Sequence, residues 1–311
     1  MSILAFLRLS LLQGAVNYSA PLLIGAMGEL LLERSGMLDV SLEGKMALGA
    51  SVGFLVYYFT GQVLLGLLAT ILVGALVGIV FGYLAVYLKG NQVITGMGFL
   101  ILTTGLASLI YRLAVGIVNV APQVKTLDNI KLPLLSQIPY LGQIFFTQPL
   151  LTYFAYLLVP VMIFVLYKTP LGLHIRACGE SPRALDTLGV NVFTIRLGVS
   201  AVSGGLIALA GAYLPMVLTA TYGDGMIGGR GWLVLQLVIF GRYLPTAVLL
   251  GSMFFGYLES LKFSLILLNP GLPPQLFQML PYLCAMVVLV FAQKTYRPES
   301  LLKPYYREKK N

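Results

Sequence analysis

Four long stretches of this chain, residues 46–88, 132–167, 197–223 and 263–293, contain no Asp, Glu, Lys or Arg. Their apolar positions run on without a break, whereas a lipid-facing β-strand would alternate apolar and polar residues over about ten positions. Roughly 20 predominantly apolar residues suffice to cross a hydrocarbon core of about 30 Å. In lipid each backbone amide must find its partner within the segment, so such runs form helices. The pattern predicts spans at 9–32, 42–60, 63–88, 92–114, 147–167, 195–218, 231–241, 245–263 and 275–293. The fold class is therefore all-α: a polytopic membrane protein with about nine (8–10) transmembrane helices, some broken or re-entrant, making one membrane domain over 1–311. The span at 231–241 is short and ends at GRYLP, which suggests a broken helix completed by its successor. Gly and Pro at 219–231 and 269–274 mark the turns around that pair. Segment 42–60 begins with Glu43 and Lys45, and is either a full span or re-entrant.

Composition agrees. The chain is 58% hydrophobic and 10% charged, with mean hydropathy +0.90, against about 25% charged in soluble domains. A net charge of +9 does not point to nucleic acid here, because the charges lie between spans and in the tail KTYRPESLLKPYYREKKN. Cytoplasmic loops of membrane proteins collect Lys and Arg. With the C-terminus inside, the cytoplasmic set is Arg34, Lys45, Lys89, Lys168, Arg176, Arg183, Arg196, Arg242, Lys294, Arg297, Lys303, Arg307, Lys309 and Lys310. The exterior set is Arg8, Arg112, Lys125, Lys131, Arg230 and Lys262. That division, 14 against 6 of the 20 basic residues, places the N-terminus outside. The loop 168–196 and the tail 294–311 are then cytoplasmic, and 115–146, with its spaced prolines, forms an exterior cap on the membrane surface. The N-terminal MSILAFLRLSLLQ, with Arg8 inside it, reads as the lead-in to the first span and not as a removed signal peptide.

Chemical motifs are few. Cys178 and Cys284 are too far apart for a disulfide framework, and Cys178 with His174 offers at most two ligands, so no metal is expected. No Walker A sequence occurs, so the chain is not expected to hydrolyse ATP, and no cofactor is implied. GDGMIG (Gly223–Gly228) matches a dinucleotide fingerprint in spacing but has no strand before it.

The exception to this apolar chain is YKTPLGLHIRACGESPRALDTLGVNV, residues 167–192. Ser181 suits an N-cap whose hydroxyl accepts from a first-turn amide, Pro182 suits the first helical position, and Gly189 suits the left-handed end. Between them fits a helix of about 10 Å, too short to be stable alone in water.

This segment resembles the cytoplasmic coupling loop of ATP-binding-cassette importer permeases, in the branched-chain amino acid/ribose-type inner-membrane family and its simple-sugar and nucleoside branch. The resemblance covers nearly the whole chain. LLLERSGMLDVSLEGKMALGA at 30–50 is similar to a signature usually seen as ERSGVLNIGLEGMMLMGA; KGNQVITGMGF at 89–99, IPYLGQIFFTQPL at 138–150 and GMIGGRGWLVLQLVIFGRYLP at 225–245 match further blocks in order. Asp39 departs from the usual Asn, Lys45 from Met and Ser181 from Asn. The resemblance implies a transport subunit, not an enzyme, that imports a simple sugar or nucleoside and is driven by a separate ATPase subunit. A second permease subunit, identical or homologous, and an extracytoplasmic solute-binding protein complete the assembly in the membrane lipid. Gly179, Glu180, Ser181, Pro182, Arg183, Ala184, Asp186 and Gly189 would couple to the ATPase.

Glu43 belongs to a matched block and is a candidate for a pathway or gating role. Asn91, Gln92, Thr95, Thr103 and Gln236 are neutral polar candidates for the translocation pathway, each equally able to bond a neighbouring helix; Asn17 and Thr104 share that description. Glu29, Arg112 and Glu259 sit near span ends, where snorkelling to the interface accounts for them. Gly74, Gly78 and Gly82, like Gly49 and Gly53, recur every four residues and favour close helix packing, within this subunit more than between subunits. An ion-coupled secondary transporter is the alternative, but it usually shows an internal repeat and mid-span acids. An intramembrane enzyme lacks a nucleophile pair.

Overall fold

Helices dominate the computed structural model, which describes residues 3–116, 120–133, 135–269, 271–291 and 296–307. The chain opens with α1 (Ile3–Arg34), α2 (Leu42–Thr60), α3 (Val63–Val86) and α4 (Gln92–Val115). The next connection contains β1 (Asn129–Lys131), a 3-10 turn (Leu135–Gln137), α5 (Leu141–Phe145) and β2 (Thr147–Pro149). There follow α6 (Leu150–Lys168), α7 (Pro170–Glu180), α8 (Pro182–Thr187) and α9 (Val192–Tyr213), the last extended by a π turn (Leu214–Thr219). α10 (Arg230–Phe240), α11 (Pro245–Leu268), α12 (Pro274–Gln278) and α13 (Leu280–Phe291) complete the set.

Six helices are long and apolar enough to cross a membrane: α1 from Ser10, α3, α4, α6, α9 with its π turn, and α11. The protein is a polytopic helical membrane protein. Each segment expected to span contains helix among the described residues, although 147–149 at the start of one is β2, and three fall short of that standard. α2 carries its charges at one end. α10 has 11 residues, about 16 Å at 1.5 Å per residue. The last expected span is broken into α12 and α13. One addition to the all-α expectation is the antiparallel pair β1–β2, with Asn129 opposite Pro149 and Lys131 opposite Thr147. It ties the middle of the 115–146 connection to the residues just before α6.

Small residues set the packing. A Cβ on Gly74 would strike the Gly204 backbone, and one on Gly78 the Ser200 carbonyl, so this stripe of α3 lies directly on α9. Ser200 Oγ donates to the Gly78 carbonyl at 2.6 Å across the same contact. Gly49 and Gly211 bring α2 against α9 in the same way, through Ala208 and Met46. The glycine repeats therefore serve packing inside the subunit. α3 turns Leu64, Leu68, Leu72 and Leu76 outward, one every four residues, as a lipid-facing helix requires.

Two charged residues are not at an interface. Glu29 has no exposed surface and Glu259 is 2% exposed, so neither snorkels. Glu29 accepts the Asp39 amide at 3.1 Å, and Glu259 pairs with cations on two elements. Only Arg112, 70% exposed beside Asp224, sits as expected.

Candidate functional site

The segment after α6 folds as two helices, where the sequence suggested one. Thr169 caps α7 by accepting the Gly172 amide at 3.1 Å, and Pro170 follows it. This repeats the polar-then-Pro signal of 181–182. α8 spans Pro182–Thr187, within the stretch from Ser181 to Gly189 marked in the sequence. Gly189 takes φ +84° as expected. Ser181 occupies the cap position, but at ψ 80° its side chain makes no capping bond. Its backbone joins the helices instead, donating to Ala177 and accepting from Leu185.

α8 is seated on a small core of its own, formed by Cys178, Leu185, Val192 and Tyr305. Burial pushes the Cys178 thiol up from its ordinary range. Leu185 points in, while Ser181, Arg183, Ala184, Thr187 and Leu188 face out. The tail straps the assembly. Asp186 accepts from Tyr305 at 3.0 Å and pairs with Arg307 at 3.1 Å, and Tyr296 bonds Glu180. Ser300 donates to the Gly179 carbonyl through both its amide (2.8 Å) and its hydroxyl (2.7 Å). A groove of ≈ 410 Å³ remains between the first turn of α8 and the tail. Lys294, Lys309 and Lys310, used above for orientation, lie outside the described residues.

Beneath α7 lies the loop 35–41. Gly179 is packed on the Arg34 carbonyl with no room for a Cβ. The buried Arg196 guanidinium donates to Ser35 O at 3.1 Å, Ser300 Oγ at 3.1 Å and Cys178 O at 3.4 Å, so one side chain joins α9, the loop, α7 and the tail. Arg34 donates twice to the Tyr243 carbonyl, at 3.0 and 2.7 Å. That contact holds a turn in which Arg242 and Tyr243 both have positive φ, 51° and 58°, a conformation costing non-glycine residues roughly 1–3 kcal/mol each. In the sequence Arg34 stood out only by its place in a matched block and the charge count, and Arg196 only by the charge count.

The two signature departures meet. Lys45 pairs with Asp39, both side chains at most 1% exposed, and Asp39 Oδ1 also accepts the Ser41 amide (2.8 Å) and hydroxyl (2.5 Å). Lys45 Nζ lies 4.7 Å from the Phe81 ring centroid.

The polar candidates for the pathway divide. Glu43 accepts the Gly229 amide at 2.8 Å and the Gly231 amide at 2.7 Å, which places its charge at the N-terminus of α10, where the helix dipole favours an anion. Asn91 caps α4 through the amides of Val93 and Ile94. Gln92 is buried and accepts from the Leu38 amide at 2.9 Å. Thr103 bonds the Phe99 carbonyl at 2.5 Å against Gly44. Thr95 is half-buried, and Gln236 has a buried Oε1 without a hydrogen-bond partner among the described residues. The structure does not gather these six into one cavity. Glu43 does line a groove of ≈ 500 Å³ with Thr104, Ser108, Tyr222 and Asp224. Its rim is set by Arg112 and Ser108, which hold Asp224 at 2.9 and 3.0 Å. The hydrogen bond from Arg112 lowers the Asp224 carboxyl below its ordinary value of 3.8, and burial pushes Tyr222 up to about 12.

Six membrane-long helices with one braced, charged helix pair define a polytopic helical membrane protein. The chain belongs to the family described as the permease component of the branched-chain amino acid transport system, whose pattern it matches over residues 11–290. Among curated relatives, it is 35% identical to a glucose ABC transporter permease protein of Haloferax volcanii, over 96% of this chain and 98% of the relative. It is 32% identical to a guanosine ABC transporter permease protein of Bacillus subtilis (94% and 95% covered), and 33% identical to a nucleoside ABC transporter permease protein of Lactococcus lactis (91% and 92%). No solved structure matches the chain significantly. Its role is that of a transport component and not a catalyst.

Proposed function

We propose that this chain is a permease subunit of an ABC importer in the inner (plasma) membrane, carrying a simple sugar or a nucleoside inward. Whole-length similarity to glucose and nucleoside permeases supports that solute class over the amino acids of the family's title. A separate ATPase supplies the energy, a second permease subunit completes the pathway, and an extracytoplasmic binding protein delivers the solute. All nine helical segments cross or enter the membrane, with the C-terminus and 168–196 in the cytoplasm and 115–146 as the exterior cap.

α8 is the coupling helix. The observation that carries this reading is its mounting: Leu185 is buried in a private core, Asp186 is tied to the tail, and Arg183, Ala184, Thr187 and Leu188 project from a short, fixed element. Force passes through packed elements with discrete arrangements, and Arg196 links this mount to the signature loop. Ala184 is exposed, so Ala184→Glu should leave insertion and folding intact while abolishing ATP-driven solute uptake by the assembled transporter. Undiminished uptake would count against coupling through α8.

A further inference from the structure

The polar residues that stood out in the sequence mostly cap and brace helices, yet the structure holds a polar chamber built from others. Glu259 on α11 forms ion pairs through one carboxylate oxygen with Arg230 Nη2 at 3.5 Å and with Lys262 Nζ, all three side chains no more than 12% exposed. Stability does not call for this triad, because well-packed apolar residues serve a buried position as well or better. Ionisable groups within membrane segments mark functional sites. Two members of the triad, Arg230 and Lys262, line a cavity of ≈ 670 Å³ bounded by α1, the π turn after α9, the 225–230 turn, α11, α12 and α13, within the size range of small-molecule sites; Glu259 is not in its lining and holds the two cations.

The remaining walls combine aromatic rings with aliphatic side chains from Leu214, Leu218, Met226 and Ile266. Tyr18 and Phe263 stack with centroids 5.2 Å apart, and Lys262 Nζ lies 4.8 Å from the Phe263 centroid. Tyr282 fixes the far side by donating to Gly228 O at 2.5 Å. A ring bearing hydroxyls needs both kinds of surface: flat apolar faces for its carbons, and donors beside an acceptor for hydroxyls that give and take hydrogen bonds. The chamber adjoins the turn whose amides Glu43 holds, so its wall is mechanically joined to α2.

We propose that this cavity is the chamber through which the solute passes, with Arg230 and Lys262, both held by Glu259, as its hydrogen-bonding contacts and Tyr18 and Phe263 as its stacking wall. The inference rests on the permease reading. It takes the sugar ring, free or as part of a nucleoside, as the recognised group.

The test uses the complete transporter in proteoliposomes, with Cys284→Ser and with Gln278→Cys at the chamber wall. ATP-driven uptake of labelled guanosine and of labelled D-glucose is measured separately, before and after reaction with a small methanethiosulfonate. The chamber requires that modification during turnover stop uptake and that the transported compound slow the modification. Lys262→Gln should raise KM for that compound about tenfold, the worth of one charge-assisted contact. Full modification of position 278 with normal uptake overturns the chamber, as does a thiol that stays unreactive throughout the cycle. Uptake that ignores ATP contradicts the importer reading, while the labelling result still judges the chamber.

Discussion

The Asp39–Lys45 pair offers a quantitative test of why this chain departs from its family's usual signature. Both side chains are essentially out of solvent. Removing one partner of such a pair leaves an uncompensated buried charge and costs about 3–5 kcal/mol. Lys45→Met strands the carboxylate with only its Ser41 bonds, and Asp39→Asn strands the ammonium over Phe81. Each single variant should therefore lose about two to nearly four orders of magnitude in its unfolding equilibrium, at 1.4 kcal/mol per tenfold. The double variant has no charge left to desolvate. Asn keeps an oxygen for the Ser41 amide and hydroxyl, and Met keeps contact with the ring. Its stability should lie between that of the parent and about 4 kcal/mol above it. Unfolding in mixed micelles by sodium dodecyl sulfate, followed for all four proteins, completes the cycle. Additive singles, with the double as weak as their sum, would refute the claim that the two departures compensate each other.

Glycines on α9 predict opposite signs within one helix. A methyl at Gly211 strikes the Met46 carbonyl, whereas one at Gly198 meets nothing within 4 Å. Thermal unfolding should show Gly211→Ala destabilised by about 1–3 kcal/mol, and Gly198→Ala unchanged or stabilised by up to about 1 kcal/mol. For Asp224, the depressed carboxyl makes its tie to Arg112 fully present above the ordinary value of 3.8 and lost as pH falls through the lower folded value. Proteolysis at 220–229 should therefore be flat across pH 5–8 in the parent, and Asp224→Asn should loosen the segment throughout that range without adding a pH dependence.

Helices were legible because periodicity and length need no knowledge of partners. Six of the nine apolar segments hold helices long and apolar enough to cross a membrane, and Pro182 with Gly189 delimited α8. α7 was missed although Thr169–Pro170 carries the same signal, because its apolar positions blend into α6. Partner-dependent roles were not legible. Glu43 answers amides 186 and 188 residues away, and nothing in SLEG specifies Gly229 and Gly231. Glu29 and Glu259 looked terminal in their spans, yet both are covered by other elements. In GRYLP the left-handed conformation falls on Arg242 and Tyr243 and not on Gly241, because Arg34 holds the Tyr243 carbonyl. Asp39 and Lys45 could have been found, as two opposite charges replacing two neutral residues six positions apart.

As the coupling helix, α8 must face the cytoplasm and meet the ATPase there. Cys178 cannot report on this, since it is buried and its thiol is pushed up. Leu188 can, at 80% exposed. In a background lacking both native cysteines, Leu188→Cys should react with a membrane-impermeant maleimide only in inside-out vesicles, and the reaction should slow when the ATPase subunit is present. Labelling from the exterior of intact cells, or a rate indifferent to the ATPase, contradicts the account.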